Sequence, residues 1–208
     1  MEFLSPQVPV VYLLGPGGAG KSTAGALLAQ SLGWRLADLD HAFMAAHGDI
    51  STFIAQQGYR GYAARNVATL AAAASAIEAP TVCVLSSGFM TYAQDIDPRY
   101  PAMRRAIEMH PLAALLLPSF DIDECARIVV ERQLRRPYLP GDRDSETQRI
   151  RSRFPLFMAL RCRRFLSDGP PEAIASALAA FVSAHSPAAE RGGAAPPPLQ
   201  AAVSNATR

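Results

Sequence analysis

The chain has 208 residues, half of them hydrophobic, and a formal net charge of +2. That length suffices for one domain with a sizeable core, and so small a charge gives no reason to expect a nucleic-acid partner. No apolar run approaches the roughly 20 residues of a membrane-spanning helix, and the first residues lack the basic and apolar segments of a signal peptide. The cysteines are odd in number and widely spaced, which is typical of free thiols. We therefore expect a cytoplasmic protein without a membrane partner.

The first motif in chain order is a glycine-rich loop between a predicted strand and a predicted helix. Residues 8–14 are apolar and rich in β-branched side chains, and apolar residues then recur at helical spacing from Ala24 to Leu32. Backbone N–H groups of the loop can face an anion, its lysine can reach the β- and γ-phosphates of a nucleotide, and its serine hydroxyl can bind Mg²⁺. We call this segment the phosphate loop and predict that it binds a nucleotide through Gly15, Gly17, Gly18, Ala19, Gly20, Lys21, Ser22 and Thr23.

A second motif, Asp38-Leu39-Asp40, follows the next predicted strand at residues 34–37. Positions two apart at the end of a strand face the same side, so both carboxylates can approach one crevice. Near a triphosphate they could hold Mg²⁺ or accept a proton from a substrate hydroxyl. The alternative is that Asp40 serves as the N-cap of the following helix.

Predicted strands and helices alternate along the rest of the chain. Further strands are predicted at residues 81–85, 112–117 and 163–166, and helices at 41–46, 61–77, 101–109, 122–134, 145–160 and 171–185. This alternation is typical of parallel strands joined by crossover helices. We therefore predict an α/β fold with three α/β/α layers around a five-stranded parallel sheet, and a ligand site beyond the carboxyl ends of the strands.

One domain boundary is visible near residue 185. From residue 186 to 208 the chain is rich in Pro, Gly and Ala and has no periodic apolar face. Such a composition cannot bury enough surface to offset the entropy of the chain. We predict a folded domain over residues 1–185 and a disordered tail over residues 186–208.

The phosphate loop, the Asp-x-Asp motif and a late Arg-Pro segment together resemble the shikimate kinase family over roughly residues 10–182. Its members are small P-loop proteins, similar to nucleoside monophosphate kinases, that transfer the γ-phosphoryl group of ATP to the 3-hydroxyl of shikimate. The resemblance implies ATP and Mg²⁺, a small-molecule acceptor and the fold predicted above. We expect such a protein to be a monomer.

On the nucleotide side, the resemblance implies roles for individual positions. Asp38 matches a carboxylate near Mg²⁺, beside Ser22. Arg136-Pro137-Tyr138-Leu139 resembles the Arg-Pro-Leu-Leu of a mobile lid, here about residues 132–150. Arg136 would reach over the ATP phosphates and act in catalysis with Lys21. Pro171 belongs to a segment that resembles the family's adenine-contacting loop.

On the acceptor side, Asp40 matches the residue that binds the substrate hydroxyls and acts as the base. Gly88 matches the middle residue of a Gly-Gly-Gly run that contacts the substrate. Arg153 resembles the arginine that grips the substrate carboxylate. Tyr59 and Tyr62 could line this pocket beside Asp40. The other arginines between residues 127 and 164 could form a solvated face, or some of them could neutralise phosphate charge, and no individual role is predicted for them.

The sequence also departs from the family pattern at the acceptor site. Ala63 stands where a second carboxylate-binding arginine is expected, and Asn66 stands where a glutamate is expected. Arg60 or Arg65 could supply the missing guanidinium only from a different turn of the helix. Ser87 and Phe89 flank Gly88 where the family has glycines. The sequence therefore does not identify the acceptor molecule.

Two classes of function remain at this point. One is a kinase for shikimate or a related hydroxylated acid, or for another acceptor such as gluconate or a nucleotide. The other is a ligand-sensing module, because shikimate-kinase-like domains also occur in regulators of aromatic-compound catabolism. The intact phosphate loop and Asp-x-Asp motif favour the kinase, and the altered acceptor site favours the sensing module.

Overall fold

The computed structural model describes residues 8–135 and 142–185. Within these residues, five parallel strands form one sheet in the order β2-β3-β1-β4-β5. The strands are β1 (Val10–Leu14), β2 (Arg35–Asp38), β3 (Thr81–Val84), β4 (Ala113–Leu117) and β5 (Arg163–Leu166). The predicted five-stranded parallel sheet is confirmed.

Helices cover both faces of this sheet. They are α1 (Lys21–Leu32), α2 (Leu39–His47), α3 (Ile50–Ser75), α4 (Tyr100–Glu108), α5 (Ile122–Leu134), α6 (Arg143–Met158) and α7 (Pro171–His185). Helices α1 and α7 pack on one face, where Leu28, Leu178 and Val182 are fully buried. The other helices pack on the opposite face around a larger core. The predicted three layers are therefore confirmed.

The register of the central strands brings the predicted motifs to one edge of the sheet. Leu13 of β1 pairs with Val84 of β3, and Asp38 of β2 pairs with the same Val84. All residues of β1, β3 and β4 are buried, as expected for central strands covered on both faces. The segments that leave β1, β2 and β3 consequently begin side by side.

Helix α3 differs from its prediction, which began only at residue 61. The helix starts at Ile50, capped by the Asp49 carboxylate, and is broken at Gly58, whose φ of 71° and ψ of 165° are not helical. The first half carries Ile50, Phe53 and Ile54 at helical spacing and packs them against the core, but it is short and ends at Gly58, and the sequence prediction missed it. A short 3₁₀ turn at Phe89–Thr91 was also not predicted.

Two predictions lie partly or wholly outside the described residues. They are the lid, of which residues 136–141 with Arg136 are not described, and the tail at residues 186–208. Cys83, Cys125 and Cys162 are free thiols, as predicted. No helix in the described part of the chain combines the length and the hydropathy needed to cross a membrane.

Candidate functional site

The phosphate loop leaves β1 and opens α1 as predicted. Lys21 is the first residue of α1 and is buried, and its Nζ donates hydrogen bonds to the carbonyl oxygens of Gly15 (2.8 Å) and Pro16 (2.9 Å). Gly15 has a φ of 137°, and a Cβ there would lie 2.3 Å from the Leu116 carbonyl oxygen. A side chain at this position would therefore collide with β4.

The first turn of α1 is built to receive an anion. Its N-cap is Gly20, and no side chain caps the helix there. The first N–H groups of α1 therefore have no capping side chain, and the helix dipole makes this end positive. Together with the buried ammonium group of Lys21, this end of the helix fits a phosphate chain.

The end of α5 closes over the other side of the phosphate loop. Arg132 donates hydrogen bonds to the carbonyl oxygens of Gly18 (3.1 Å) and Ser167 (3.0 Å). The Gln133 amide nitrogen lies 2.3 Å from the point where a Cβ on Gly17 would stand. No individual role was predicted for Arg132, yet it connects the phosphate loop to the segment before α7, which begins at Pro171. No motif in the sequence marked this contact.

Asp38 and Ser22 form the predicted oxygen pair at the mouth of the phosphate loop. The Ser22 hydroxyl donates to Asp38 Oδ2 at 2.8 Å. The other carboxylate oxygen, Oδ1, accepts from the backbone N–H groups of Asp40 (3.0 Å) and His41 (3.4 Å). Asp38, and not Asp40, is therefore the N-cap of α2. Its capping bonds hold Oδ2 beside a hydroxyl, which is a donor set that suits a hard cation such as Mg²⁺.

Asp40 lies in the first turn of α2, and its carboxylate faces the end of β3. The Ser86 hydroxyl donates to Asp40 Oδ1 at 2.5 Å. Ser86 is 4% exposed and Asp40 is half-buried. The alternative that Asp40 caps the helix is therefore wrong, because its side chain bonds a residue 46 positions away.

Gly88 and Arg153 come together as the resemblance implied, and Tyr59 joins them. Arg153 Nη2 donates to the Tyr59 hydroxyl at 2.8 Å, and the guanidinium carbon lies 5.4 Å from the centre of the Tyr59 ring. A Cβ on Gly88 would lie 2.2 Å from the Tyr59 oxygen and 3.5 Å from Arg153 Nη1. Burial raises the pKa of Tyr59, Arg153 opposes that shift, and the charge of Asp40 adds a smaller increase. The Asp40 carboxylate therefore lies within electrostatic reach of this cluster.

Behind this cluster, neutral side chains fill the place of the expected arginine and glutamate. Asn66 is completely buried, and its amide nitrogen donates to the hydroxyls of Tyr92 (2.9 Å) and Tyr62 (3.4 Å). Ala63 is 1% exposed. Burial raises the pKa of Tyr62 and of Tyr92, so both phenols stay neutral at ordinary pH. Phe89, which flanks Gly88, is buried in the core.

Arg60 and Arg65 were the two candidates to replace the missing second arginine. Neither makes a hydrogen bond that would hold its guanidinium beside Gly88. Arg60 pairs with Asp95 (3.1 Å) on the surface, where the two side chains are 64% and 76% exposed. The Arg65 side chain is exposed as well. Arg153 is therefore the arginine that the described residues bring to Gly88.

The sheet order and the loop after β1 define this chain as a P-loop protein of the three-layer α/β/α class. A family model described as shikimate kinase matches residues 17–183, so the chain belongs to the shikimate kinase family. Two curated relatives are both named shikimate kinase 2, from Salmonella paratyphi B and Salmonella heidelberg. Each is 38% identical over 80 residues, which is 38% of this chain and 41% of the relative. The match thus spans less than half of the length of these relatives.

Solved structures of the family share the fold over most of the chain. Shikimate kinase from Acinetobacter baumannii, in complex with shikimate, superposes with a TM-score of 0.66 and 20% identity, over 86% of this chain and 95% of that one. Shikimate kinase from Aquifex aeolicus superposes with a TM-score of 0.60 and 18% identity, over 84% and 96%. At this level of identity the likeness establishes the fold.

Proposed function

We propose that this protein transfers the γ-phosphoryl group of ATP to a hydroxyl of a small carboxylate-bearing acceptor, with shikimate as the first candidate. One observation carries the proposal. Three groups meet at one edge of the sheet: the phosphate loop with Lys21, the Ser22–Asp38 oxygen pair, and Asp40 facing the Gly88–Arg153 cluster. Phosphoryl transfer depends on positioning and electrostatic stabilisation, and each of these groups supplies one part of it.

On the nucleotide side, the phosphate loop binds the phosphates through its N–H groups, and Lys21 neutralises their charge. Ser22 and Asp38 would hold Mg²⁺, and the bound ion would draw charge from the phosphate oxygens. By the family resemblance, Arg136 would bind the phosphates and Pro171 would contact the adenine. Arg132 keeps the segment before α7 in place beside the loop.

On the acceptor side, Asp40 accepts the proton of the attacking hydroxyl. A new oxygen–phosphorus bond forms to the γ-phosphorus, the bond between this phosphorus and the bridging oxygen breaks, and ADP leaves. Gly88 leaves room for the Tyr59 hydroxyl beside Arg153, and Arg153 pairs with the carboxylate of the acceptor.

The decisive experiment is a coupled assay of ADP release with shikimate, quinate, gluconate and nucleoside monophosphates as acceptors. We expect turnover with a hydroxylated carboxylate and none with the nucleoside monophosphates. The matched control is Lys21→Ala, which should lose turnover while its unfolding temperature stays near that of the parent. ADP release that is the same in parent and variant, or that needs no acceptor, would contradict the proposal.

A second candidate function, ligand sensing without efficient turnover, is favoured by the Ser86–Asp40 hydrogen bond. The Ser86 hydroxyl occupies Oδ1 of Asp40, so an acceptor hydroxyl would have to reach the other carboxylate oxygen or displace Ser86. Calorimetric titration with shikimate separates the two functions. Binding that is tight, in a protein without acceptor-dependent ADP release, would favour the sensing function.

A further inference from the structure

Tyr59 was expected to line the acceptor pocket, but no sequence motif predicted its contact with Arg153. The break of α3 at Gly58 comes directly before it, and the Tyr59 side chain is 42% exposed although it contacts buried residues. Its ring lies beside the guanidinium of Arg153, and its hydroxyl accepts a hydrogen bond from Arg153 Nη2. Arg153 follows 94 positions later in the chain, on α6.

The hydrogen-bond capacity of this pair is only partly used. A phenol both donates and accepts, and a guanidinium carries five N–H donors. Among the described residues, the Tyr59 oxygen accepts from Arg153 and has no acceptor for its own proton. Arg153 donates one N–H group to Tyr59, so several of its N–H donors remain for a ligand. A carboxylate offers about four lone-pair positions, and both unused donor groups suit it.

Both donors converge on the bare backbone of Gly88. The Tyr59 oxygen and Arg153 Nη1 lie 2.2 Å and 3.5 Å from the point where a Cβ on Gly88 would stand. A side chain there would displace the Tyr59 hydroxyl. The other donors nearby are already paired: the Asn66 amide nitrogen bonds Tyr92 and Tyr62, and Arg60 bonds Asp95. Asn66 Oδ1 is buried without a partner among the described residues, but it is an acceptor and cannot bind a carboxylate.

We propose that Tyr59 and Arg153 form a phenol–guanidinium clamp on the carboxylate of the acceptor. Tyr59 then determines specificity in two ways: its hydroxyl donates to the carboxylate, and its ring seats the guanidinium that binds the same group. This inference rests on the proposed function in one respect only, namely that the acceptor carries a carboxylate.

The test is Tyr59→Phe, which keeps the ring beside Arg153 and removes only the hydroxyl. We expect the KM for shikimate to rise roughly ten- to a hundredfold, because a hydrogen bond to a charged group is lost. The kcat should stay within about threefold and the KM for ATP should not change, because the hydroxyl serves binding alone. The matched control is Arg60→Ala, the neighbouring residue paired with Asp95 on the surface, which should leave all three constants unchanged.

The methyl ester of shikimate separates a clamp from a merely structural role. The ester has no charged carboxylate, so Tyr59→Phe should weaken it far less than it weakens shikimate. An equal loss for acid and ester, or a loss confined to kcat, would overturn the clamp.

If the parent transfers no phosphoryl group to shikimate, the proposed function fails. The clamp is then tested by calorimetric titration with shikimate in the presence of ADP. A tenfold or greater loss of binding in Tyr59→Phe would then support it, and a parent that does not bind shikimate would overturn it.

Discussion

Asp38 and Asp40 are two positions apart, yet their carboxylates have different neighbours. Asp38 caps α2 through one oxygen and accepts from Ser22 through the other. Asp40 accepts from Ser86 at the end of β3, on the side of Gly88. Because one carboxylate lies at the phosphate loop and the other near the acceptor cluster, the same substitution should have different effects at the two positions.

Asp40→Asn should lower kcat by a hundredfold or more and change nucleotide affinity little. An amide cannot take the proton of the attacking hydroxyl, and general-base contributions are typically about 10²–10⁴-fold. Asp38→Asn should instead raise the Mg²⁺ concentration needed for half-maximal activity. Asparagine is as good an N-cap as aspartate, so α2 and the unfolding temperature should be preserved in this variant.

Steady-state kinetics at varied Mg²⁺ concentration, with ATP binding followed by calorimetry, separate the two effects. If Asp40→Asn also shifted the Mg²⁺ requirement, the division between the two carboxylates would be wrong. If Asp38→Asn lowered the unfolding temperature, its kinetic effect would reflect the loss of the cap and not the metal.

Among the helices and strands, the break in α3 has the clearest consequence for the candidate site. Gly58 has a φ of 71° and a ψ of 165°, a conformation that only glycine adopts readily. The break lets the chain leave the first half of α3 and place Tyr59 against Arg153. The position of Tyr59 in the acceptor cluster therefore depends on the backbone conformation of Gly58, a residue outside the cluster.

Gly58→Ala should lower the free energy of unfolding by about 1–3 kcal/mol, the usual cost of this backbone strain. It should also raise the KM for the acceptor, because Tyr59 would shift. Urea unfolding and steady-state kinetics measure the two effects. The control is Gly169→Ala: that glycine has an ordinary φ, and no atom lies within 4 Å of the added Cβ. Gly58→Ala with the stability and KM of the parent would show that the break does not position the site.

The helices α5 and α7 have the bounds that their apolar periodicity predicted, and β5 has its predicted bounds although its sequence signal was the weakest of the strands. The sequence also predicted where the phosphate loop and Asp38 lie in the fold, because these residues belong to local motifs next to a strand. Contacts between distant residues could not be predicted in this way. Arg132 and Gly18 are 114 positions apart, and Tyr59 and Arg153 are 94 apart, so only the packing of helices on the sheet brings them together. The capping role of Asp38 was missed because the sequence could not locate the start of α2 within two residues.

The stability of the whole molecule includes a pH-dependent contribution from the turn between α4 and β4. His110 lies in this turn, and its ring packs edge-on against the ring of Tyr12 on the central strand β1. The two ring centres are 5.0 Å apart. Its Nδ1 accepts a hydrogen bond from the Leu112 N–H at 3.2 Å, which requires an unprotonated nitrogen. Burial lowers the pKa of His110 below its ordinary value of 6.5. The folded protein therefore favours the neutral ring.

The free energy of unfolding should fall as the pH falls from 7 to 5, and His110 should account for a measurable part of the fall. Above pH 6.5 the ring is neutral in both states, and its contribution is complete. Below that pH the unfolded chain takes up the proton while the folded chain does not, so stability is lost until the pH passes the lowered pKa. Urea unfolding of the parent and of His110→Asn at pH 7, 6 and 5 gives the difference. Asparagine can still accept from Leu112 but does not titrate, and the other histidines cancel in the comparison. The variant should therefore lose less stability than the parent over this range, and two parallel curves would rule out His110 as the source.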